Sequence, residues 1–229
     1  MSKRLAKKVL VIGWDAADWK IINPLLDAGL MPALESLINK GAMGDIATLD
    51  PVLSPILWTS IATGKTGDKH GILNFVEPVP DKMELRPVTS TSRKCKAFWN
   101  ILSQNDLKSN IIGWWPSNPA EPINGAMVSN FFQKITSDTT ESWKMPPGTI
   151  YPERLAEIIA EYRVHPTELS PEHFFPFVPK AHLVDQQNDK NLGILAKNIA
   201  ECASTHAAAT WLMENEEWDL TAVYFDTID

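Results

Sequence analysis

Three short apolar runs punctuate a chain that is otherwise mixed in character: Val-Leu-Val-Ile-Gly-Trp at 9–14, a run over 109–114, and Leu-Thr-Ala-Val-Tyr-Phe at 220–225. Runs this short and this continuous predict strands buried on both faces, the signature of a parallel sheet. The connections between them are too long for hairpins, so the three strands are expected as parallel neighbours in one central sheet. Between the first two runs, residues 17–39 carry helical periodicity broken near Pro24 and Pro32, with Leu34, Leu37 and Ile38 at helix spacing and Gly41 as a stop. A short strand is expected over 42–49. A loop then delivers Ser54 as the N-cap of a helix that has Pro55 in its first position and runs to Thr63, ending at Gly64. Further helices are expected over 98–104 and 189–217, the latter with Leu192, Leu195, Ile199, Cys202, Ala209 and Leu212 as its apolar stripe. A short strand is expected over 126–129. Alternation of strands with helices defines an α/β protein.

Two stretches break this rhythm. Residues 65–95 are loop-like, with Gly67, Gly71, Pro78, Pro80 and Pro87 as punctuation. From Met145 to about Asp189, seven prolines crowd a segment that also holds a helix over 153–162, which reads as an inserted cap or lid. The expected organisation is therefore a first part of the α/β domain over 1–145, an insert over 146–188, and a return to the domain over 189–229.

Composition narrows the function classes. At 229 residues, with 44% hydrophobic and 21% charged positions, the chain can bury a sizeable core as one large domain or a domain with an insertion. A net charge of -7 supplies no basic footprint for a nucleic-acid polymer, although a metal site can hold anions inside an acidic protein. Cys95 and Cys202 form no CxxC motif and are expected as buried thiols of a reducing compartment. The basic start, 1–8, precedes only six apolar residues, and nowhere is there an 18-residue apolar span. A cytoplasmic protein without a membrane partner is expected.

The chemistry lies at the strand ends. Asp15 closes the first run and Asp226 the last, where open α/β folds bind ligands. With Ser54 at a helix start, two carboxylates and a hydroxyl are the parts of a metal-assisted hydrolase, since carboxylates bridge or cap paired ions and a metal or base activates a serine. Each residue has a plainer role open to it. Asp15 suits a strand-end turn, Ser54 a simple cap, and Asp226 a solvated turn beside Thr227 and Asp229. His70 suits packing or a loop hydrogen bond, and His165, His173, His182 and His206 have no spacing for a shared metal. Trp114 reads as core, and Trp115 as an aromatic available to stack on substrate. The run Gly13-Trp14-Asp15-Ala16-Ala17-Asp18 lacks the glycine spacing of a dinucleotide-binding turn.

The run Val9 to Asp15, then Met31-Pro32-Ala33-Leu34 with Leu37 and Gly41, Thr63-Gly64, His70-Gly71-Ile72 and the returning Val223-Tyr224-Phe225-Asp226 resemble the type I phosphodiesterase/nucleotide pyrophosphatase branch of the alkaline phosphatase superfamily. The resemblance implies an alkaline-phosphatase-like three-layer sandwich around a mostly parallel sheet. It implies two divalent metal ions, zinc by the family's habit, and a covalent phosphoseryl intermediate on small phosphate-ester substrates. By motif position Asp15 corresponds to a ligand of one metal, Ser54 to the nucleophile and a further metal ligand, and Asp226 to a ligand of the other metal. Relatives place a histidine four residues after that aspartate, then an Asp-His pair and another histidine. The chain therefore resembles the N-terminal portion of a longer enzyme, incomplete at its C-terminus. Leu57 stands where nucleotide pyrophosphatases carry a phosphoryl-binding asparagine, and the sulfatase Cys/Ser-x-Pro-x-Arg pattern does not occur around Ser54. The alternatives left open are a phosphomonoesterase, a phosphonate hydrolase, or a non-catalytic binding domain on the same fold.

Overall fold

The computed structural model describes residues 5–136, 140, 143–185 and 188–228. The first four residues of the basic start and Asp229 lie outside them. In chain order the strands are β1 (Val9–Trp14), β2 (Val76–Pro78), β3 (Leu85–Pro87), β4 (Ser109–Ile112), β5 (Gly125–Val128), β6 (Ile150–Tyr151) and β7 (Leu220–Phe225). The α-helices are α1 (Trp19–Asp27), α2 (Pro32–Lys40), α3 (Ser54–Thr63), α4 (Gly67–His70), α5 (Phe98–Gln104), α6 (Ala156–Ala160) and α7 (Asn191–Asn215).

Five strands form the central sheet in the order β1-β7-β4-β5-β6, and β2 with β3 makes a separate antiparallel ribbon. β1, β7, β4 and β5 run parallel and only β6 runs against them. The three apolar runs are thus parallel neighbours, as their continuity predicts. Successive residues of the inner strands serve opposite faces. Ile112, Val128 and Val223 join Leu155, Ile159, Ala208 and Leu212 in one core layer beside α7. Ile111, Met127, Ala222 and Tyr224 join Ala62, Ala97, Trp99 and Trp114 in the other, beside α3 and α5. Burial of both faces suits the apolar character of the inner strands, since period-two side chains need an apolar neighbour on each side. β1, expected to be buried on both faces, is instead an edge strand on which Val9, Leu10, Ile12 and Trp14 are exposed.

Several sequence expectations change in detail. No strand forms over 42–49. That stretch is exposed and finds no partner in a sheet whose edges are β1 and β6. The helical pattern over 17–39 splits into α1, which contains Pro24, and α2, where Pro32 is the first residue because its missing N–H costs nothing there. The first half of the expected insert belongs to the main body: β6 pairs with β5, and Leu155 and Ile159 are fully buried. The helix expected over 153–162 is a 3₁₀ turn, Glu153–Leu155, leading into α6. Cys95 and Cys202 are free and only half-buried. Among the described residues no single helix is long and apolar enough to cross a membrane.

Candidate active site

Trp14 pairs with Phe225 in the parallel β1·β7 ladder, so both strands release their next residues at the same, C-terminal edge of the sheet. The ladder continues one step as Asp15 N–H donates to Phe225 O at 2.9 Å. Asp15 is 9% exposed and its carboxylate receives three hydrogen bonds. Ser54 Oγ donates to Oδ2 at 2.8 Å, Tyr224 Oη to Oδ2 at 2.7 Å, and Trp58 Nε1 to Oδ1 at 2.9 Å. A buried carboxylate demands such partners, because an unpaired charge away from water is costly.

Ser54 is not the N-cap. Leu53 takes that position without a side-chain bond, Ser54 is the first residue of α3, and Pro55 follows it. The hydroxyl is therefore free of backbone capping and turned toward Asp15. Proline fits at the second position because the first four helix N–H groups have no intrahelical acceptor anyway. The positive end of the α3 dipole faces the same acid–hydroxyl pair, a setting that favours anions.

Sequence reasoning missed Trp58 and Tyr224. Trp58 lies one helical turn after Ser54, hence on the same face of α3. Gly13 pairs with Tyr224 across the ladder, and residue 15 shares the face of residue 13, so the tyrosine hydroxyl reaches Asp15. Gly13 serves by lacking a side chain: a Cβ there would stand 2.5 Å from Trp58 Cζ3 and 2.7 Å from Cη2. Trp58 packs edge-on against Tyr224 at 4.6 Å and Trp114 at 5.4 Å between ring centroids, so moving its ring away would give up these contacts. Gly13→Ala is expected to destabilise the fold by about 1–3 kcal/mol, as overpacked cores do. It should also weaken the Trp58 bond to Asp15. Thermal unfolding with tryptophan fluorescence checks both effects.

A cavity of about 570 Å³ opens over this pair, lined by Trp14, Asp15, Ser54, Leu57, Trp58 and Ser60 among others. Apart from Asp15 and a few hydroxyls its wall is apolar, and Leu57 adds no polar group to it. Trp115 is elsewhere: it packs on Phe75 at 5.9 Å and is not among the residues lining this cavity.

Asp226 leaves β7 at the same edge, yet its carboxylate is engaged. Lys134 Nζ lies 2.7 Å from Asp226 Oδ2 and 3.2 Å from Glu201 Oε2. Burial works against the lysine's charge, but Asp226 and Glu201 outweigh it and hold the ammonium above its ordinary range. Lys134 is a third residue that sequence reasoning missed, since nothing in its local run marks it.

His70, fully buried, supports the far end of α3. Ile72 N–H donates to its Nδ1 at 3.1 Å, which leaves Nε2 as the protonated nitrogen facing Ser60 Oγ at 3.0 Å. The loop hydrogen-bond role is thus what its surroundings define. Burial, the largest influence, pushes its pKa below the usual imidazole value. The unfolded chain then binds a proton near pH 6.5 before the native one does, so stability present above that pH is lost as pH falls toward the lower native value. Urea midpoints from pH 7.5 down to 5 should fall more steeply for the wild type than for His70→Asn.

The chain is thus a mixed α/β protein that carries an acid–hydroxyl pair at the carboxyl edge of a mostly parallel sheet, seated at a helix start. The family model for type I phosphodiesterase / nucleotide pyrophosphatase matches residues 9–229, and the chain belongs to that family. The family acts on small phosphate esters, and the mostly parallel sheet flanked by helices is consistent with an alkaline-phosphatase-like fold. No curated protein and no solved structure matches the chain.

Proposed function

We propose that this protein hydrolyses phosphodiester or pyrophosphate bonds of small molecules, with Ser54 as nucleophile. The observation that carries this reading is the 2.8 Å hydrogen bond from Ser54 Oγ to Asp15, joining residues 39 positions apart at the mouth of a cavity. Ser54 Oγ attacks phosphorus and its proton passes to Asp15 Oδ2, while the P–O bond to the leaving group breaks. The leaving oxygen departs with the proton held on Asp15, and water then adds to the phosphorus of the seryl ester, releasing the phosphomonoester and restoring the Ser54 hydroxyl. Trp58 and Tyr224 hold the carboxylate in position, and the α3 N-terminus offsets phosphate charge.

The divalent ions that the family implies find only part of a donor set here. Asp15 and Ser54 offer hard oxygen ligands, but Asp15 already accepts three hydrogen bonds and Asp226 is paired with Lys134. Among the described residues no three His, Cys, Asp or Glu side chains converge on a point. These residues alone do not close a coordination sphere, so the steps above are assigned to the chain's own groups.

The test is hydrolysis by the intact protein, with and without added Zn²⁺ or Mn²⁺, of bis(4-nitrophenyl) phosphate beside a monoester and a phosphonate ester. Intact-mass analysis of the quenched reaction completes it. Diester turnover with a 4-nitrophenyl phosphoryl group on Ser54 is expected. Turnover of the monoester or the phosphonate alone shifts the reading to that chemistry, and silence with every substrate and metal makes the chain a binding domain.

A further inference from the structure

Beyond β5 the chain is fastened from both sides. Trp143 Nε1 donates to Lys134 O at 2.9 Å, and Arg163 Nε donates to Phe132 O at 2.9 Å. The lysine side chain reaches the other way, between Asp226 at the end of β7 and Glu201 on α7. Glu201 is only 5% exposed in its side chain. Its second oxygen accepts from Ile135 N–H at 3.3 Å, and Lys197 stands off at 4.0 Å. A carboxylate this deep requires a countercharge, and removing one member of such a group leaves the others uncompensated.

Two carboxylates flanking one ammonium have the form of a cation seat already filled by the chain. A divalent ion on Asp226 would meet that ammonium at close range beside the buried Glu201, at a spot where the Lys134 and Asp226 side chains are 36% and 23% exposed, and like charges there repel. We infer that Lys134 is the resident cation of the Asp226–Glu201 seat, and that Asp226 is a positioning residue and not a metal ligand. Its work is to fix the segment after β5 against the end of β7, one residue beyond the strand partner of Trp14 and so beside Asp15. This assignment departs from the role that family resemblance implies for Asp226. It stands or falls separately from the hydrolase reading, because none of its groups takes part in the Ser54 chemistry.

The experiment is thermal unfolding of the intact protein and of Lys134→Met, Lys134→Arg, Asp226→Asn and Lys134→Met/Asp226→Asn, each with and without excess Mn²⁺. Lys134→Met and Asp226→Asn are each expected to melt several degrees early, and the double variant to lose less than their sum. Asp226→Asn should respond to Mn²⁺ as the wild type does. Lys134→Met, with its seat emptied, should gain a Mn²⁺-dependent rise that the double variant lacks and that Lys134→Arg, which keeps a cation, does not show. Loss of a wild-type Mn²⁺ response in Asp226→Asn overturns the inference, as does a Lys134→Met protein that folds without gaining the new response. Should Lys134→Met not fold, the Arg and Asn variants still decide. A new Mn²⁺ response in Lys134→Arg, or a lost one in Asp226→Asn, refutes it, and wild-type responses in both support it.

Discussion

Ser54→Ala is expected to remove turnover, by a factor on the order of 10³ or more, because a serine enzyme without its nucleophile retains only what binding and electrostatics supply. Stability should hardly move. The hydroxyl is one of three donors to Asp15, caps no backbone group, and its loss costs about 1 kcal/mol. Ser54→Thr keeps a hydroxyl at the same atom and should retain part of the activity. Diester hydrolysis measured beside melting temperature separates this from a purely structural serine, for which the alanine variant would turn over like wild type.

Asp15→Ala should be the most damaging single change at the site. It leaves the hydroxyls of Ser54 and Tyr224 and the indole N–H of Trp58 without their acceptor; Ser54 and Trp58 line the cavity and can turn to water, but Tyr224 is 1% exposed. An unsatisfied buried donor costs about 1–3 kcal/mol, and a loss of about that size is expected from Tyr224. Asp15→Asn keeps an acceptor oxygen of the same shape and should lose much less stability. Activity should nonetheless disappear in both, since an amide takes no proton from Ser54. Urea denaturation with diester kinetics reads the two effects, and an active Asp15→Asn protein would remove Asp15 from the chemistry.

How far these two predictions were visible in advance differs by residue. Asp15 is legible only in combination, because a carboxylate alone at a strand end suits a turn, while with Ser54 and Asp226 at one sheet edge it points to a site. Ser54 was legible as a helix-start serine, although its helix position was read one residue out, since Pro55 is tolerated at either of the first two positions. Trp58 and Tyr224 were not legible. Both look like core aromatics, and each becomes a hydrogen-bond donor to Asp15 only through the β1·β7 register and the seating of α3 over Gly13. Trp115, by contrast, looked like a substrate aromatic from its place after a strand, yet the chain carries it to Phe75, away from the cavity.

Local pattern by itself determined the parallel strands, the helices at 54–63 and 98–104, the last long helix to within two residues at each end, and the family, because period and apolar continuity are properties of neighbouring residues. The absent strand at 42–49, the entry of β6 into the sheet and the ion pairing of Asp226 were decided only in three dimensions. A strand exists only if a partner edge is available, and a carboxylate's chemistry depends on which charge reaches it. Lys134 stands 92 residues from Asp226 in the chain and 2.7 Å from it in the fold. Such a pairing leaves no local trace, because it arises from strand order and loop path, which no short stretch of residues encodes.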